Sequence, residues 1–332
     1  MNKKQKFRNL LNGISLGEFK FFRPILMHFA ARFNRTTYDK FASDHRVLVD
    51  SNIRAMEFFN TDMVSLISDP YRETSAFGAK VTYPHDQVPR CESPIIKTIS
   101  DVKDLKSPDV YANARTLDRI KGARKYDQML KGTVPVSGWV EGPLAEACDL
   151  AGVDHMLIRL MEDPDFSNIL LDKCLQTGKD FAQAQILEGC DIIGIGDSIC
   201  SQIDLDTYNL YIKERHRELI NFIHETGSLV KLHICGDITH LLPSLNDLCA
   251  DIIDLDWQVN MDHAFEALGP DVVRGGNINP VTIQEKTKDE VYSLTRSLLE
   301  SENGRKHLLA AGCEITVNTP VENLMAMRDA SQ

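Results

Sequence analysis

The sequence lacks the features that identify several classes of protein. No apolar run approaches the ~18 residues of a membrane-spanning helix. There is no C-x-x-C pair, and eight cysteines in 332 residues are too few for a disulfide framework. Gly275-Gly276-Asn277 is too short for the glycine-rich motif of a dinucleotide-binding sheet. These absences argue against a membrane-spanning protein, a disulfide-rich secreted protein and a doubly wound dinucleotide-binding fold.

Positive charge is also scarce. Lysine and arginine number 37 against 48 aspartates and glutamates, which gives a formal net charge of −11. The summed field of such a chain repels phosphates, so we expect neither nucleic acid nor an anionic membrane as a partner. The only basic cluster, Lys3 to Arg8, is too short to change this expectation. Polar residues interrupt any apolar run near the N-terminus, so no signal peptide is predicted and the cytoplasm is the expected compartment.

Short β-branched apolar runs alternate with longer segments of helical period. The runs are apolar at consecutive positions, as in strands buried on both faces of a parallel sheet. The predicted strands are Met63–Ile67, Val134–Val140, Ile192–Ile195, Leu229–Ile234, Ile252–Leu255, Val272–Gly275 and Leu308–Ala311. This alternation predicts an α/β fold, a (β/α)8 TIM barrel over residues 61–332. Residues 1–60 are predicted to form a helical and loop extension that packs on the barrel.

Three helices have recognisable limits in the sequence. Residues 208–225 carry a helical apolar pattern that ends before Gly227, and residues 289–303 repeat it before Gly304. The last helix is predicted to open with a capping box formed by Thr319 and Glu322, with Pro320 at its first position.

Polar side chains follow nearly every predicted strand. They are Asp69, Trp139, Glu141, Asp197, His233, Cys235, Asp256, Asn277 and Cys313. The C-terminal strand ends of a parallel barrel form one face, and barrel enzymes carry their active sites there. Any one of these residues has an ordinary alternative role, such as capping a helix or making a turn. The whole set predicts an active site.

His233-Ile234-Cys235-Gly236 is the most informative segment. Residues i and i+2 of a strand point to the same side, so the imidazole and the thiol can reach one metal ion, and Gly236 permits a sharp turn. Cys313 follows another strand and offers a third soft ligand. Two thiolates and one imidazole suit zinc, and three protein ligands leave a fourth position open, as in catalytic zinc sites. The alternative is a hydrogen-bonded core histidine beside a buried cysteine.

An ordered series of segments resembles the uroporphyrinogen decarboxylase superfamily over nearly the whole chain. The segments are Ser68-Asp69 with Ala76-Phe77-Gly78-Ala79, Gly138 to Pro143, Ile195-Gly196-Asp197-Ser198, His233 to Gly236, Gly276 to Pro280, and Ala311-Gly312-Cys313 through Leu324. The resemblance implies a (β/α)8 barrel.

The chain departs from the decarboxylase branch of this superfamily. Decarboxylases carry two arginines in an N-terminal segment, and here His28 stands in place of the first while Arg32 is retained. They also have a histidine where this chain has Cys313. Asp69 is retained, so decarboxylation remains an alternative.

The zinc-dependent corrinoid methyltransferase branch, to which methylcobamide:coenzyme M methyltransferase belongs, is the better match. Its His-x-Cys…Cys zinc ligands correspond to His233, Cys235 and Cys313. The resemblance implies that zinc lowers the pKa of a thiol substrate, and that the thiolate then takes the methyl group from a Co(III) corrinoid. The corrinoid is expected on a separate small corrinoid-binding protein, because no Asp-x-His-x-x-Gly segment is present.

The remaining strand-end residues have expected roles because of their positions around this zinc site. Asp256 is the candidate for the open zinc position when no thiol is bound, and Glu141 and Asp197 are candidates to orient the ligands. The residues expected to contact the cofactor are Asn277, Trp139 and Asp69.

Three hypotheses follow from the sequence. The first is a zinc methyltransferase that moves a methyl group between a corrinoid and a thiol or related donor or acceptor. The second is a porphyrinogen decarboxylase that needs no metal. The third is a zinc-binding barrel that docks a corrinoid protein without catalysing transfer.

Overall fold

Eight parallel strands form the centre of the molecule. The computed structural model describes residues 1–14 and 20–332. The strands, in chain order, are β1 (Phe21–Phe22), β2 (Val64–Ser65), β3 (Val81–Thr82), β4 (Arg90–Cys91), β5 (Val136–Glu141), β6 (Ile192–Gly196), β7 (Leu229–His233), β8 (Ile252–Asp254), β9 (Val273–Ile278) and β10 (His307–Ala311). All except the β3–β4 hairpin belong to one sheet with the order β1-β10-β9-β8-β7-β6-β5-β2.

Asp62 joins the two edge strands of this sheet. Its backbone N–H donates to the carbonyl of Phe22 at 2.7 Å, and its carboxylate accepts from the Phe22 N–H at 2.8 Å. The sheet therefore curls until β1 and β2 are neighbours, which confirms the predicted α/β barrel. Strands β5 and β6 are buried at every position, as their continuous apolar sequences predicted.

Helices cover the outside of the barrel. They are α1 (Lys3–Leu11), α2 (Met27–Phe33), α3 (Tyr38–Ser43), α4 (His45–Phe59), α5 (Tyr71–Ala76), α6 (Ile99–Asp104), α7 (Ala114–Leu130), α8 (Pro143–Ala151), α9 (Val153–Glu162), α10 (Pro164–Leu187), α11 (Leu205–Thr207), α12 (Lys213–Glu225), α13 (Leu242–Leu245), α14 (Met261–Leu268), α15 (Pro280–Glu285), α16 (Lys288–Ser301) and α17 (Val321–Ala330). Short 3₁₀ turns occur at Ser198–Gln202 and Asn246–Leu248, and Tyr208–Ile212 forms a π-helical turn. Within the described ranges, no helix has the length and apolar composition needed to cross a bilayer.

Helix α1 closes one end of the barrel. Its Phe7 and Leu10 pack in a small apolar cluster with residues at the beginnings of the strands, including Phe21, Ile192 and Leu308. The N-terminal strand ends are therefore covered, and the C-terminal ends remain available for a site.

Two local expectations from the sequence are wrong. Residues 1–60 are predicted to contain helices and loops only, but Phe21 and Phe22 pair with Leu308 and Leu309 as the first strand of the barrel. The predicted capping box is absent: α17 begins at Val321 without a side-chain cap, because the Thr319 hydroxyl lies 2.9 Å from that of Thr316.

Candidate metal centre

The C-terminal ends of β7 and β10 bring one imidazole and two thiols together. His233 is the last residue of β7, Cys235 follows two residues later, and Cys313 comes two residues after β10. Nε2 of His233 lies 3.0 Å from Sγ of Cys235, and the two Sγ atoms are 3.5 Å apart. One ligand atom from each residue lies within 4.8 Å of the others. The structure thus assembles the cluster that the sequence predicted.

Two glycines let the backbone carry these ligands. Gly236 has a φ of +90°, in the left-handed region that glycine favours, so the chain turns sharply after Cys235 as predicted. Gly312 lies against the loop after β8, where a Cβ atom would fall 2.3 Å from the backbone nitrogen of Trp257. Cys313 therefore reaches the cluster only because the residue before it has no side chain.

The surroundings of the two thiols change their pKa values in opposite directions. The hydrogen bond from Cys235 lowers the pKa of Cys313 to about 4 although burial opposes this, and the charged form of His233 adds to the effect. The same hydrogen bond, together with burial, raises the pKa of Cys235. Of the two sulfur atoms, Cys313 is the one whose surroundings favour the thiolate form. A thiolate is the form of cysteine that binds zinc.

A buried carboxylate orients the histidine. Oδ2 of Asp254 lies 3.2 Å from Nδ1 of His233. Asp254 also accepts from Nη2 of Arg23 at 2.5 Å and from Nζ of Lys231 at 3.0 Å. Burial alone would raise the pKa of this carboxyl, but the charges of Arg23 and Lys231 hold it well below its usual range. A carboxylate on the far nitrogen is the usual support of a metal-bound histidine.

Trp139 forms the wall beside His233. The two rings meet edge to face with centroids 5.8 Å apart, and Nε1 of Trp139 donates to Oε1 of Glu141 at 3.0 Å. Arg72 donates to the same oxygen at 2.6 Å. The neighbouring strand makes room for the indole with glycine, since a Cβ atom at Gly194 would lie 2.4 Å from the ring. Glu141 thus holds the Trp139 ring in place, and the ring in turn packs against His233.

The Asp69 carboxylate follows β2 and is also held by buried groups. It accepts from Nη2 of Arg115 at 2.5 Å and from the Ser68 hydroxyl at 2.6 Å. Burial opposes its ionisation, but the positive charges of Arg115 and Arg72 lower the pKa of Asp69 to about 2.

A cavity of about 220 Å³ opens over the cluster. Its walls include the three candidate ligands together with Asp69, Trp139 and Glu141, all expected at this site from the sequence. The other lining residues are Ile25, Met27, Ile67, Pro70, Gly196, Ser198 and Glu314.

The remaining three predicted residues do not line this cavity. Asp197 is fully buried, and its carboxylate accepts from the backbone of Leu144 and Ala145 at the start of α8 and lies 2.9 Å from Nε2 of His216. Asn277 donates to the carbonyls of Asp256 and Val259. Both side chains hydrogen-bond to backbone groups. A catalytic role of Asp197 and a cofactor contact of Asn277 stay predictions.

Asp256 lies beside the cluster but supports a loop. Its two oxygens accept from the N–H groups of Gly236 and Gln258 at 3.1 and 3.2 Å. It thereby holds the turn that carries Cys235. Occupation of an open zinc position by Asp256 stays a prediction.

Sequence reasoning missed the residues that surround the predicted ones. They are Arg23, Arg72, Arg115, Lys231, Asp254 and Glu314. One signal was available for two of them: Lys231 and Asp254 are charged residues inside strands that are otherwise apolar. A charge inside a buried strand requires a partner. Lys231 and Asp254 could therefore have been predicted to pair with each other, which would have placed Asp254 close to His233 on β7.

Comparisons with known proteins identify the family of the chain. The family model described as uroporphyrinogen decarboxylase (URO-D) matches residues 23–332. Among curated relatives, uroporphyrinogen decarboxylase from Trichlorobacter lovleyi is 26% identical, with 89% of this chain and 87% of the relative covered. Methylcobamide:CoM methyltransferase MtaA from Methanosarcina barkeri is 27% identical over 58% of this chain and 57% of the relative.

A solved structure supports the fold. A methyltransferase from Methanosarcina mazei superimposes with a TM-score of 0.91 at 19% identity, covering 100% of this chain and 98% of its own. The match of the family model begins directly after β1 and extends over the other seven strands of the barrel. The chain belongs to the uroporphyrinogen decarboxylase (URO-D) family.

Proposed function

We propose that this protein is a zinc-dependent methyltransferase that moves a methyl group between a corrinoid, carried by a separate protein, and a small thiol or related molecule. The observation that carries the proposal is the cluster of His233, Cys235 and Cys313, whose ligand atoms lie within 4.8 Å of one another at an open cavity. Zinc sites with a purely structural role are usually closed by four protein ligands.

The donor set fits zinc. Two sulfur atoms and one imidazole nitrogen are ligands that zinc prefers, and three ligands leave a position for a substrate. Zinc bound there would lower the pKa of an incoming thiol, so that its sulfur could attack the methyl carbon while the Co–C bond breaks and its electron pair stays with cobalt as Co(I). Asp254 holds His233 in the orientation that presents Nε2 to the thiols.

The charges around the cavity argue against porphyrinogen decarboxylation. A substrate with several carboxylates requires cations, but the cavity wall carries three carboxyl groups, and no lysine or arginine occurs among its lining residues in the described part of the chain. Arg32 is exposed and donates to Asn318, and His28 lies 3.2 Å from Asp86. The decarboxylase relatives share the fold, but these residues favour methyl transfer.

The expected docking site of the corrinoid protein is the mouth of the cavity. The opposite end of the barrel is covered by α1, so a methyl group can approach the cluster only from the C-terminal strand ends. A separate corrinoid protein docked at that face would bring its cobalt within reach of a sulfur bound at the cluster.

The test combines metal analysis with turnover. We expect about one zinc per chain in the purified protein, and transfer of the methyl group from free methylcobalamin to 2-mercaptoethanol, followed by cobalamin absorbance. The Cys313→Ala variant should lose most of the zinc and the transfer activity. Cys148→Ala, which changes a buried cysteine of α8 outside the cluster, should keep both.

Each alternative has its own outcome. Unchanged zinc content in Cys313→Ala would refute the metal assignment. Zinc-loaded protein without any turnover would support a barrel that only docks a corrinoid protein. Zinc-free protein that decarboxylates uroporphyrinogen as fast as zinc-loaded protein would support a decarboxylase.

A further inference from the structure

The polar part of the cavity wall is acidic. Asp69, Glu141 and Glu314 line it together with the three candidate zinc ligands. No lysine or arginine side chain lines it among the residues that the structure describes. Two thiolates would neutralise a bound Zn²⁺, so the metal centre itself would add no net positive charge. A substrate in this cavity therefore meets carboxyl groups rather than cations.

The nearest arginines are already engaged behind this wall. Arg115 donates to Asp69 at 2.5 Å, and Arg72 donates to Glu141 at 2.6 Å. Both arginine side chains are buried and already paired, so neither guanidinium group is free to bind a substrate anion. An anionic substrate would have to displace a carboxylate from a buried arginine, which leaves that carboxylate without its partner.

Arg23 and Lys231 are engaged in the same way. Both pair with Asp254, at 2.5 and 3.0 Å, and both line a separate small cavity of about 30 Å³ on another side of Trp139. Arg23 and Lys231 neutralise the Asp254 carboxylate that orients His233, so they are not free to bind a substrate anion.

Glu314 differs from the other two carboxyl groups because, among the described residues, no lysine or arginine pairs with it. Its Oε1 accepts from the backbone N–H of His28 at 2.9 Å. In the described part of the chain it takes part in no ion pair. It follows Cys313 directly, so its side chain lines the cavity beside the metal ligands. A hydrogen-bond donor on a substrate can bind this carboxyl group.

Apolar side chains complete the wall. Ile25, Met27, Ile67 and Trp139 offer contact to methylene or methyl groups. The volume of about 220 Å³ suits a small molecule. A short carbon chain that joins a sulfur atom to a donor group would match both the apolar and the acidic parts of the wall.

We propose that the cavity selects a small thiol whose second functional group is neutral or cationic, and that it discriminates against thiols bearing a sulfonate or carboxylate. This inference rests on the proposed function. It identifies the chemical class of the methyl acceptor or donor, with Glu314 as the residue that contacts its donor group.

Three thiols with the same two-carbon spacing test the proposal. They are 2-mercaptoethanol, which is neutral, cysteamine, which is cationic, and 2-mercaptoethanesulfonate, which is anionic. Each is titrated into the cobalt(II)-substituted protein at one pH, and the cobalt–sulfur absorption band gives the dissociation constant, corrected for the pKa of each free thiol. We expect the sulfonate to bind at least about tenfold more weakly than the neutral thiol, because no free cation lines the described cavity wall and the Glu314 carboxyl group has no cation to pair with there. Cysteamine should bind at least as tightly as 2-mercaptoethanol.

A charge-neutralising variant tests the role of Glu314. In Glu314→Gln, cysteamine should lose its advantage over 2-mercaptoethanol and the sulfonate should gain affinity, while binding of the neutral thiol serves as the check that the site is intact. Glu285→Gln removes an exposed carboxylate at the end of α15 and should leave all three constants unchanged.

The outcomes separate this inference from the proposed function. Equal affinity for all three thiols, or tighter binding of the sulfonate, would overturn the selectivity and leave the zinc methyltransferase intact. A cobalt spectrum that no thiol alters would overturn the proposed function and the selectivity together.

Discussion

The carboxylate of Asp254 and the imidazole of His233 form the buried support of the candidate metal centre. Their closest atoms, Oδ2 and Nδ1, are 3.2 Å apart, and the two residues are register partners on the neighbouring strands β7 and β8. Because Nδ1 faces Asp254, Nε2 faces the thiol of Cys235 at 3.0 Å. The pairing of two strands thus determines which nitrogen is available to a metal ion.

Replacing Asp254 should weaken metal binding without removing a ligand. In Asp254→Asn we expect the zinc affinity to fall roughly 10- to 100-fold, the usual effect of losing the hydrogen-bond partner of a metal-bound histidine. Competition with a chromogenic chelator measures it. Arg23 and Lys231 would lose their shared carboxylate, so a urea denaturation curve is needed in parallel.

A second aspartate provides the matched control. Asp251 also lies beside a histidine, with 2.9 Å between its Oδ2 and Nε2 of His224, but it precedes β8 at the other end of the barrel. Asp251→Asn should leave the zinc affinity unchanged. If both variants bound zinc like the parent, Asp254 would have no role at the metal.

The sequence was sufficient to predict the cluster of candidate metal ligands, because the positions of these residues follow from the period of a strand. His233 and Cys235 are two residues apart at the end of an apolar run, and Cys313 ends another, so parallel pairing brings them to one face. Asp254 was missed because attention to strand ends selected Asp256, two residues later. A shift of two residues along a strand cannot be resolved until the register with β7 is known.

Short elements and competing hydrogen bonds explain the other errors. Strand β1 has only two residues, Phe21 and Phe22, and its pairing with β10 joins residues nearly 290 positions apart, which no local pattern reveals. Thr319 and Glu322 have the spacing of a capping box, but the Thr319 hydroxyl bonds to that of Thr316 instead. Local propensity does not decide between two available partners.

Gly312 should be required for zinc binding although it contributes no ligand. In Gly312→Ala, the new Cβ atom would lie 2.3 Å from the Trp257 nitrogen and 2.9 Å from the Asp256 carbonyl carbon, so the backbone before Cys313 has to shift. We expect at least about a tenfold loss of zinc affinity, measured by chelator competition.

Gly178 offers a control for the same substitution. It lies within α10, where a Cβ atom would meet nothing closer than 3.6 Å. Gly178→Ala should keep its zinc and gain slightly in stability, because alanine is the better helix former. Normal zinc affinity in Gly312→Ala would show that the loop after β8 yields without moving Cys313.

Asp256 should prove dispensable for the metal. Asp256→Ala removes the acceptor for the N–H groups of Gly236 and Gln258, so we expect a loss of about 1–3 kcal/mol in the free energy of unfolding. The three ligands remain, so the zinc content should stay near that of the parent and thiols should bind at least as readily. Metal analysis after dialysis decides this, and loss of most of the zinc would instead make Asp256 part of the metal site.

His307 should make the stability of the fold depend on pH. This histidine begins β10, its Nε2 donates to the carbonyl of Gly276 at 2.8 Å, and its Nδ1 is buried without a partner among the described residues. Burial lowers the pKa of His307 to about 4, whereas an unfolded histidine has a pKa of about 6.5. Above pH 6.5 neither state binds this proton. Between pH 6.5 and 4 only the unfolded chain binds it, so stability falls as the pH is lowered.

The loss attributable to this group between pH 7.5 and pH 5 is about 2 kcal/mol of unfolding free energy. Urea denaturation at both pH values should show His307→Gln losing about that much less than the parent, because glutamine carries no titrating group there. His263→Gln, which removes an exposed histidine, should behave like the parent. Any release of zinc at low pH affects all three proteins alike, so it cancels in the comparison. Equal pH sensitivity in His307→Gln and the parent would mean that His307 takes up its proton without unfolding.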